Sequence, residues 1–326
     1  MFDKGQGTGD KGQVILSVEH VTKKFPVSGG KFLTACDDIN LDVRKGETLG
    51  IVGESGCGKT TLLKAIMNMQ KPTSGKIIFH GEDITQLTGE VKRQNYRRIQ
   101  MVFQDPTAAF NPKMKIRDIV CEPLLNFDLI AKSDVDTKAR ELLTQVDLPV
   151  DFAERYPHNM SGGQRQRVAI ARALALEPEV IACDEATSAL DVSVQATIIQ
   201  LLVKLQREKG ITYIFICHDL ALVSMFSHSI AIMYLGNMME KIDGDKLNRA
   251  RHPYTRALLK AVFSTEREKN QYIEILPGEI PSPLDIPSGC PFRNRCVYSQ
   301  ELCSAQKPNF NEIEPNHFVA CHYPVE

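Results

Sequence analysis

No stretch of this chain approaches the roughly 18 consecutive apolar residues that a membrane-spanning helix needs. Its first residues, Met1-Phe2-Asp3-Lys4-Gly5-Gln6-Gly7, lack the apolar region of a signal peptide. The chain is therefore expected on the cytoplasmic side, where a role at a membrane would require docking on other subunits that cross it. An excess of either charge is lacking too: 39 lysines and arginines face 40 aspartates and glutamates, so no global positive field favours nucleic acid. Among nine cysteines there is no C-x-x-C pair, so neither the zinc-finger nor the ferredoxin template fits well.

What is present is enough for about two domains: 326 residues, 43% of them hydrophobic, which suffices for a sizeable core. Residues 1–12 read as a mobile polar tail. Val14–Val18, Ile39–Val43, Thr48–Val52, Ile77–Gly81 and Ile99–Phe103 read as strands, and Pro26–Gly30 as a loop. From about 105 to 176 the pattern turns helical, with Glu141, Leu142, Leu143 and Val146 on one face and Val168–Leu174 of helical composition. Val180–Cys183 and Ile211–Cys217 then read as strands around a helix over 193–208. Alternating strands and helices predict an α/β fold with a largely parallel sheet covered on both faces.

The chemistry is concentrated in four short motifs. Gly53-Glu54-Ser55-Gly56-Cys57-Gly58-Lys59-Thr60 fits the P-loop template G-x-x-x-x-G-K-[ST], between an apolar strand and a helix opening at Thr61. In that motif successive backbone amides wrap phosphates, the lysine neutralises charge and the hydroxyl ligates magnesium. Ser161-Gly162-Gly163-Gln164 places two glycines where a helix begins, offering bare amides to an anion, although serine with glutamine three residues on also reads as a capping box. Asp184-Glu185 follows an apolar strand, at the sheet edge where α/β ligands bind. Asp184 suits Mg²⁺, and Glu185 suits the polarisation of an attacking water. His218 ends another apolar strand.

In this order the motifs resemble the nucleotide-binding subunit of ATP-binding cassette (ABC) transporters, over residues 13 to about 240. The resemblance implies a P-loop NTPase fold, the ABC nucleotide-binding domain, with an antiparallel β subdomain and a helical subdomain. It matches Phe25 to an aromatic that stacks on adenine, Gln104 to the Q-loop, Ser161–Gln164 to the signature, Ser188-Ala189-Leu190-Asp191 to the D-loop and His218 to the switch histidine. The signature is preceded by Met160 where leucine is commonest. The implied catalytic set is Glu185, His218 and Gln104. ATP would meet Phe25, Gly53, Ser55, Gly56, Cys57, Gly58, Lys59, Thr60, Thr61, Gln104, Ser161, Gly162, Gly163, Gln164, Asp184 and Asp191, with Mg²⁺ on Thr60, Gln104 and Asp184. Two subunits would associate head to tail, the Ser161 loop of one completing the Lys59 site of the other.

Beyond residue 265 the composition shifts: Pro277, Pro281, Pro283, Pro287 and Pro291 punctuate the chain, and Cys290, Cys296, Cys303 and Cys321 cluster. This reads as a small loop-rich C-terminal module, 266–326, after an ATPase domain over 13–265. A reducing cytosol disfavours disulfides, so four clustered thiols point to metal, and their spacing alone leaves zinc and iron–sulfur equally open. His252–Leu259, Pro281-Ser282-Pro283, Gly289-Cys290-Pro291-Phe292, Arg295-Cys296 and Ala320-Cys321-His322 resemble the C-terminal extension of oligopeptide and dipeptide importer ATPases. That resemblance implies a [4Fe–4S] cluster on the four cysteines, with His317 and His322 as further candidate ligands. Thr34–Asn40 and Gly46–Gly50 resemble the second of the two ATPases such importers contain. A heterodimer with a paralogous ATPase is therefore expected, together with two membrane-spanning permeases and an extracytoplasmic peptide-binding protein, at the cytoplasmic face of the inner membrane. Related importers of nickel or glutathione are the alternative. Lacking a tandem cassette, a coiled-coil insert and a basic tail, the chain fits a non-transport ATPase less well.

Overall fold

The computed structural model describes residues 12–188, 190–263 and 278–325. Most of the expected N-terminal tail, Ala189 of the D-loop match, Pro277 and the domain boundary placed at 265 lie outside the described residues. The chain forms two compact units, one from Gly12–Gln86 with Ile216–Glu326, the other from Leu87–Phe215.

In the first unit, β1 (Val14–Pro26) and β2 (Phe32–Arg44) form a long antiparallel pair, and β4 (Ser74–Phe79) and β5 (Glu82–Asp83) extend it in the order β2-β1-β4-β5. The alternation at Ile39–Val43 is that of a sheet with one buried face: Ile39, Leu41 and Val43 are buried, whereas Asp42 is exposed. A second sheet is centred on β3 (Thr48–Val52), buried along its whole length as its unbroken apolar run requires. The phosphate-loop motif leads from β3 into α1 (Lys59–Ile66).

β3 pairs in parallel with β9 (Ser229–Tyr234), and β10 (Asn237–Asp243) then pairs antiparallel with β9. α7 (Leu220–Phe226) lies against β3: a methyl group at Gly50 would meet Val223 Cγ1 at 2.1 Å. The first unit also carries α8 (Pro253–Phe263), α9 (Glu301–Ala305) and the hairpin β11 (Asn311–Glu314) with β12 (His317–Val319). β12 pairs antiparallel with β10, so the cysteine-bearing segment adds strands to the sheet that contains β3. That flank departs from the expected parallel sheet. Its hairpins are short enough for direct antiparallel return, which needs no crossover helix.

The second unit holds α2 (Gly89–Arg98), β6 (Ile99–Val102), α3 (Ile116–Asn126), α4 (Val135–Gln145), α5 (Gly162–Leu174), β7 (Val180–Asp184) and α6 (Val192–Lys209). β6 and β7 are parallel neighbours, and β8 (Thr212–Cys217) carries the chain out of this unit. Leu142, Leu143 and Val146 are buried as the helical stripe predicts, while Glu141 is exposed. Among the described residues no helix is long and apolar enough to cross a membrane.

Candidate active site

The first unit holds the phosphate-loop motif. Gly58 sits at φ +105°, and a Cβ there would come 2.0 Å from the Ala35 carbonyl oxygen, so only glycine lets the loop close against β2. The same residue is the N-cap of α1 and has no side chain with which to cap it, as suits a helix start that receives an anion. Lys59 is 4% exposed. Its ammonium donates to the carbonyls of Gly53 at 2.7 Å and Glu54 at 3.0 Å. His218 Nδ1 lies 3.3 Å from that ammonium and 3.1 Å from the Gly53 carbonyl, so the P-loop lysine and the predicted switch histidine stand together. Cys57 is buried beside Lys59; burial pushes its thiol pKa up, against the pull of the lysine charge. Ser55 and Gly56 are exposed on the outer turn of the loop. Phe25 is half-buried on β1, with the Lys23 ammonium 5.0 Å from its ring centre.

The second unit carries the predicted carboxylates. Asp184 ends β7 at 8% exposure, and Glu185 follows at φ +49°, a left-handed conformation that costs a non-glycine residue about 1–3 kcal/mol. Gln104 Nε2 donates to Ser188 Oγ at 3.4 Å, and Ser188 Oγ donates to the Glu185 carbonyl at 3.0 Å. Gln104 and Ser188, the predicted Q-loop and D-loop residues, are thus hydrogen-bonded in series to the backbone of Glu185.

At Ser161–Gln164 the capping box is made: Gln164 N donates to Ser161 Oγ at 3.3 Å and Ser161 N donates to Gln164 Oε1 at 2.9 Å. Gly163 also has a packing reason that the sequence did not show. A Cβ there would lie 2.5 Å from Val194 Cγ1, so its absence lets the start of α5 approach α6. Asp191 caps α6, accepting from Val194 N at 3.0 Å and Ser193 Oγ at 2.7 Å, and those bonds hold its carboxyl pKa below the usual range.

Cys290, Cys296, Cys303 and Cys321 line one cavity together with His252 and His322. Burial pushes Cys290 up to about 11 and Cys321 up to about 12, and the neighbouring thiols push the same way. Among the described residues, however, no group of three or more His, Cys, Asp or Glu side chains stands in an arrangement that could hold a metal ion. The thiols converge without being drawn in. His317 is not among the residues that line this cavity, and its Nε2 lies 2.7 Å from Glu240 in a fully buried pair. His322 Nε2 lies 2.9 Å from the Gln306 carbonyl.

Sequence reasoning missed the groups that brace the phosphate loop from outside. Tyr254 OH accepts from Glu54 N at 3.3 Å, and Arg295 donates to both Glu54 carboxylate oxygens, at 3.0 and 2.9 Å. These partners lie 200 and 241 residues away along the chain, and neither residue type marks its own position as a phosphate-loop contact.

Comparison with known proteins agrees with this layout. Residues 36–188 match the ABC transporter family, and residues 240–303 match the C-terminal region of oligopeptide/dipeptide transporters. The oligopeptide transport ATP-binding protein AppF of Bacillus subtilis is 46% identical, covering 95% of this chain and 97% of the relative. The corresponding OppF protein of Haemophilus influenzae is 43% identical over 95% and 97%. Among solved structures, the dimeric post-hydrolysis state of the ATP-binding cassette MJ0796 with ADP and Pi covers 70% of this chain and 98% of its own, at 32% identity and a TM-score of 0.64. A cassette carrying lysine and histidine at its phosphate loop, with relatives matched over nearly their whole length, belongs to the ABC transporter family, within the ATP-binding proteins of oligopeptide/dipeptide transporters.

Proposed function

We propose that this chain hydrolyses ATP to power the import of di- or oligopeptides through partner permeases. The observation that carries this reading is the near full-length match to oligopeptide transport ATP-binding proteins, in a chain that holds Lys59 and His218 together at a phosphate-loop motif. Lys59 and the loop amides bind the ATP phosphates; Thr60, Gln104 and Asp184 hold Mg²⁺; Glu185 polarises the attacking water; and His218 contacts the γ-phosphate. Phe25 stacks on the adenine. The Ser161–Gln164 turn of a partner cassette closes on the same nucleotide, so ATP favours a closed dimer and hydrolysis releases it.

The partner cassette is a paralogous ATPase, with this chain as the second of the pair, docked on two permeases at the cytoplasmic face of the inner membrane and served by an extracytoplasmic peptide-binding protein. Affinity purification in mild detergent tests the assembly. The expected result is recovery of permeases and a second ATPase, with ATP-dependent peptide uptake when the complex is placed in vesicles. A complex that hydrolyses ATP but takes up no peptide would refute the transport assignment.

The four-cysteine set remains a proposal on the chemistry of its donors. Four thiols from separate segments of the chain lining one cavity suit a [4Fe–4S] cluster, which would cross-link those segments. Anaerobically purified protein is expected to be brown, with iron and sulfide in about equal amounts, and Cys296→Ser is expected to lose most of both. A colourless protein carrying zinc would contradict the cluster.

A further inference from the structure

The C-terminal segment grips the outer flank of the phosphate loop. Arg295 ends a short turn, Arg293–Arg295, and is 7% exposed; its partner Glu54, the first variable residue of the loop motif, is 22% exposed. Arg295 Nη1 donates to Glu54 Oε1 at 3.0 Å and Oε2 at 2.9 Å, and stands 3.5 Å from Tyr234 OH. The backbone of Glu54 is held as well, since its amide donates to Tyr254 OH and its carbonyl accepts from Lys59. A continuous path therefore runs from Arg295 through Glu54 to the lysine that the proposed function places on phosphate.

The braces are themselves fixed. Tyr234 and Tyr254 pack with ring centres 4.9 Å apart, and Phe292 lies 5.3 Å from the first and 5.2 Å from the second. Phe292 also lines the four-cysteine cavity, and Arg295 directly precedes Cys296. The residues that shape the cavity and those that hold the loop thus share one small core.

We propose that Arg295 is a positioning residue of the nucleotide site, one that sets the geometry of the phosphate loop through Glu54 without touching ATP. An exposed ion pair would contribute little, but here Arg295 is nearly buried and Glu54 only partly exposed, so truncating one partner leaves the other charge in a poorly hydrated site without its counter-charge. The stranded Glu54 would then be free to pull its own carbonyl off Lys59. Loss of loop order weakens nucleotide capture more than it slows the chemical step, so the effect falls on KM and leaves kcat closer to its starting value.

The inference rests on residues 53–60 being the nucleotide site, and its test separates the two claims. Binding of a fluorescent N-methylanthraniloyl-ATP to the full-length chain is measured for Arg295→Met, Arg295→Lys, Glu54→Gln, the double variant Glu54→Gln/Arg295→Met, and Lys59→Ala. Arg295→Met is expected to bind about tenfold more weakly, ~1.4 kcal/mol, with KM for ATP rising in step and kcat falling less than about threefold. Arg295→Lys should recover part of the affinity, and the double variant should be no weaker than Arg295→Met, since both stranded charges are gone. Glu54→Gln, which keeps the shape of the loop, must also weaken binding, so it carries the test if Arg295→Met does not fold. Wild-type affinity in a folded Arg295→Met or Glu54→Gln protein, while Lys59→Ala loses binding, overturns the positioning role alone. Wild-type affinity in Lys59→Ala overturns the nucleotide reading beneath it.

Discussion

Replacing Glu185 with glutamine is expected to leave ATP binding intact and to lower steady-state hydrolysis by about 10²–10⁴-fold, the range for losing a general base. The substitution keeps the size of the side chain and its capacity to accept a hydrogen bond, but removes the basicity that would polarise the attacking water. Geometry supports placing the large effect here. Glu185 directly follows the buried Asp184, and its left-handed backbone is held by Ser188 Oγ on its own carbonyl. Strain of that kind persists only where the surroundings impose it. The check is ATPase activity with the proposed partner ATPase present, alongside nucleotide affinity on the same preparation. Near-normal turnover would remove Glu185 from the proposed chemistry.

Lys59→Ala should be as severe by a different route. It lowers turnover by about 10²–10³-fold, the usual cost of one preorganised donor to developing charge, and it weakens ATP binding too. Lys59 is buried and hydrogen-bonded to two loop carbonyls, so its removal strips the positive charge from the loop and also loosens Gly53 and Glu54. Both kcat and KM should therefore move, in contrast to Glu185→Gln, where the loss falls on kcat. Steady-state kinetics over a range of ATP concentrations distinguishes the two patterns. A lysine-free loop that still captures nucleotide with wild-type affinity would mean that the phosphates bind elsewhere.

The phosphate loop was legible in the sequence because its residues are consecutive and its flanks carry their own signals. β3 is an unbroken apolar run, and Gly58 marks a backbone turn that no other residue fits. The capping box at Ser161 was legible for the same reason, since cap and partner are three residues apart. What local pattern could not supply was pairing over distance. β12 joins β10 across the sequence, so a segment that reads as loop and proline becomes part of a sheet. Arg295 and Tyr254 reach Glu54 only through the fold, and Gly163 owes its place partly to Val194 on the next helix. His317 shows the converse: its position near the cysteines in the sequence suggested a ligand, whereas the fold seats it against Glu240 and outside the lining of their cavity.

The central claim is that the Lys59 loop of one cassette and the Ser161 turn of another act on one nucleotide. The most direct measurement is ATPase activity per unit protein across a dilution series that takes the complex with the proposed partner ATPase through dissociation. The account predicts that specific activity collapses as the cassettes separate and returns on concentration. Constant activity per monomer at every dilution would contradict it.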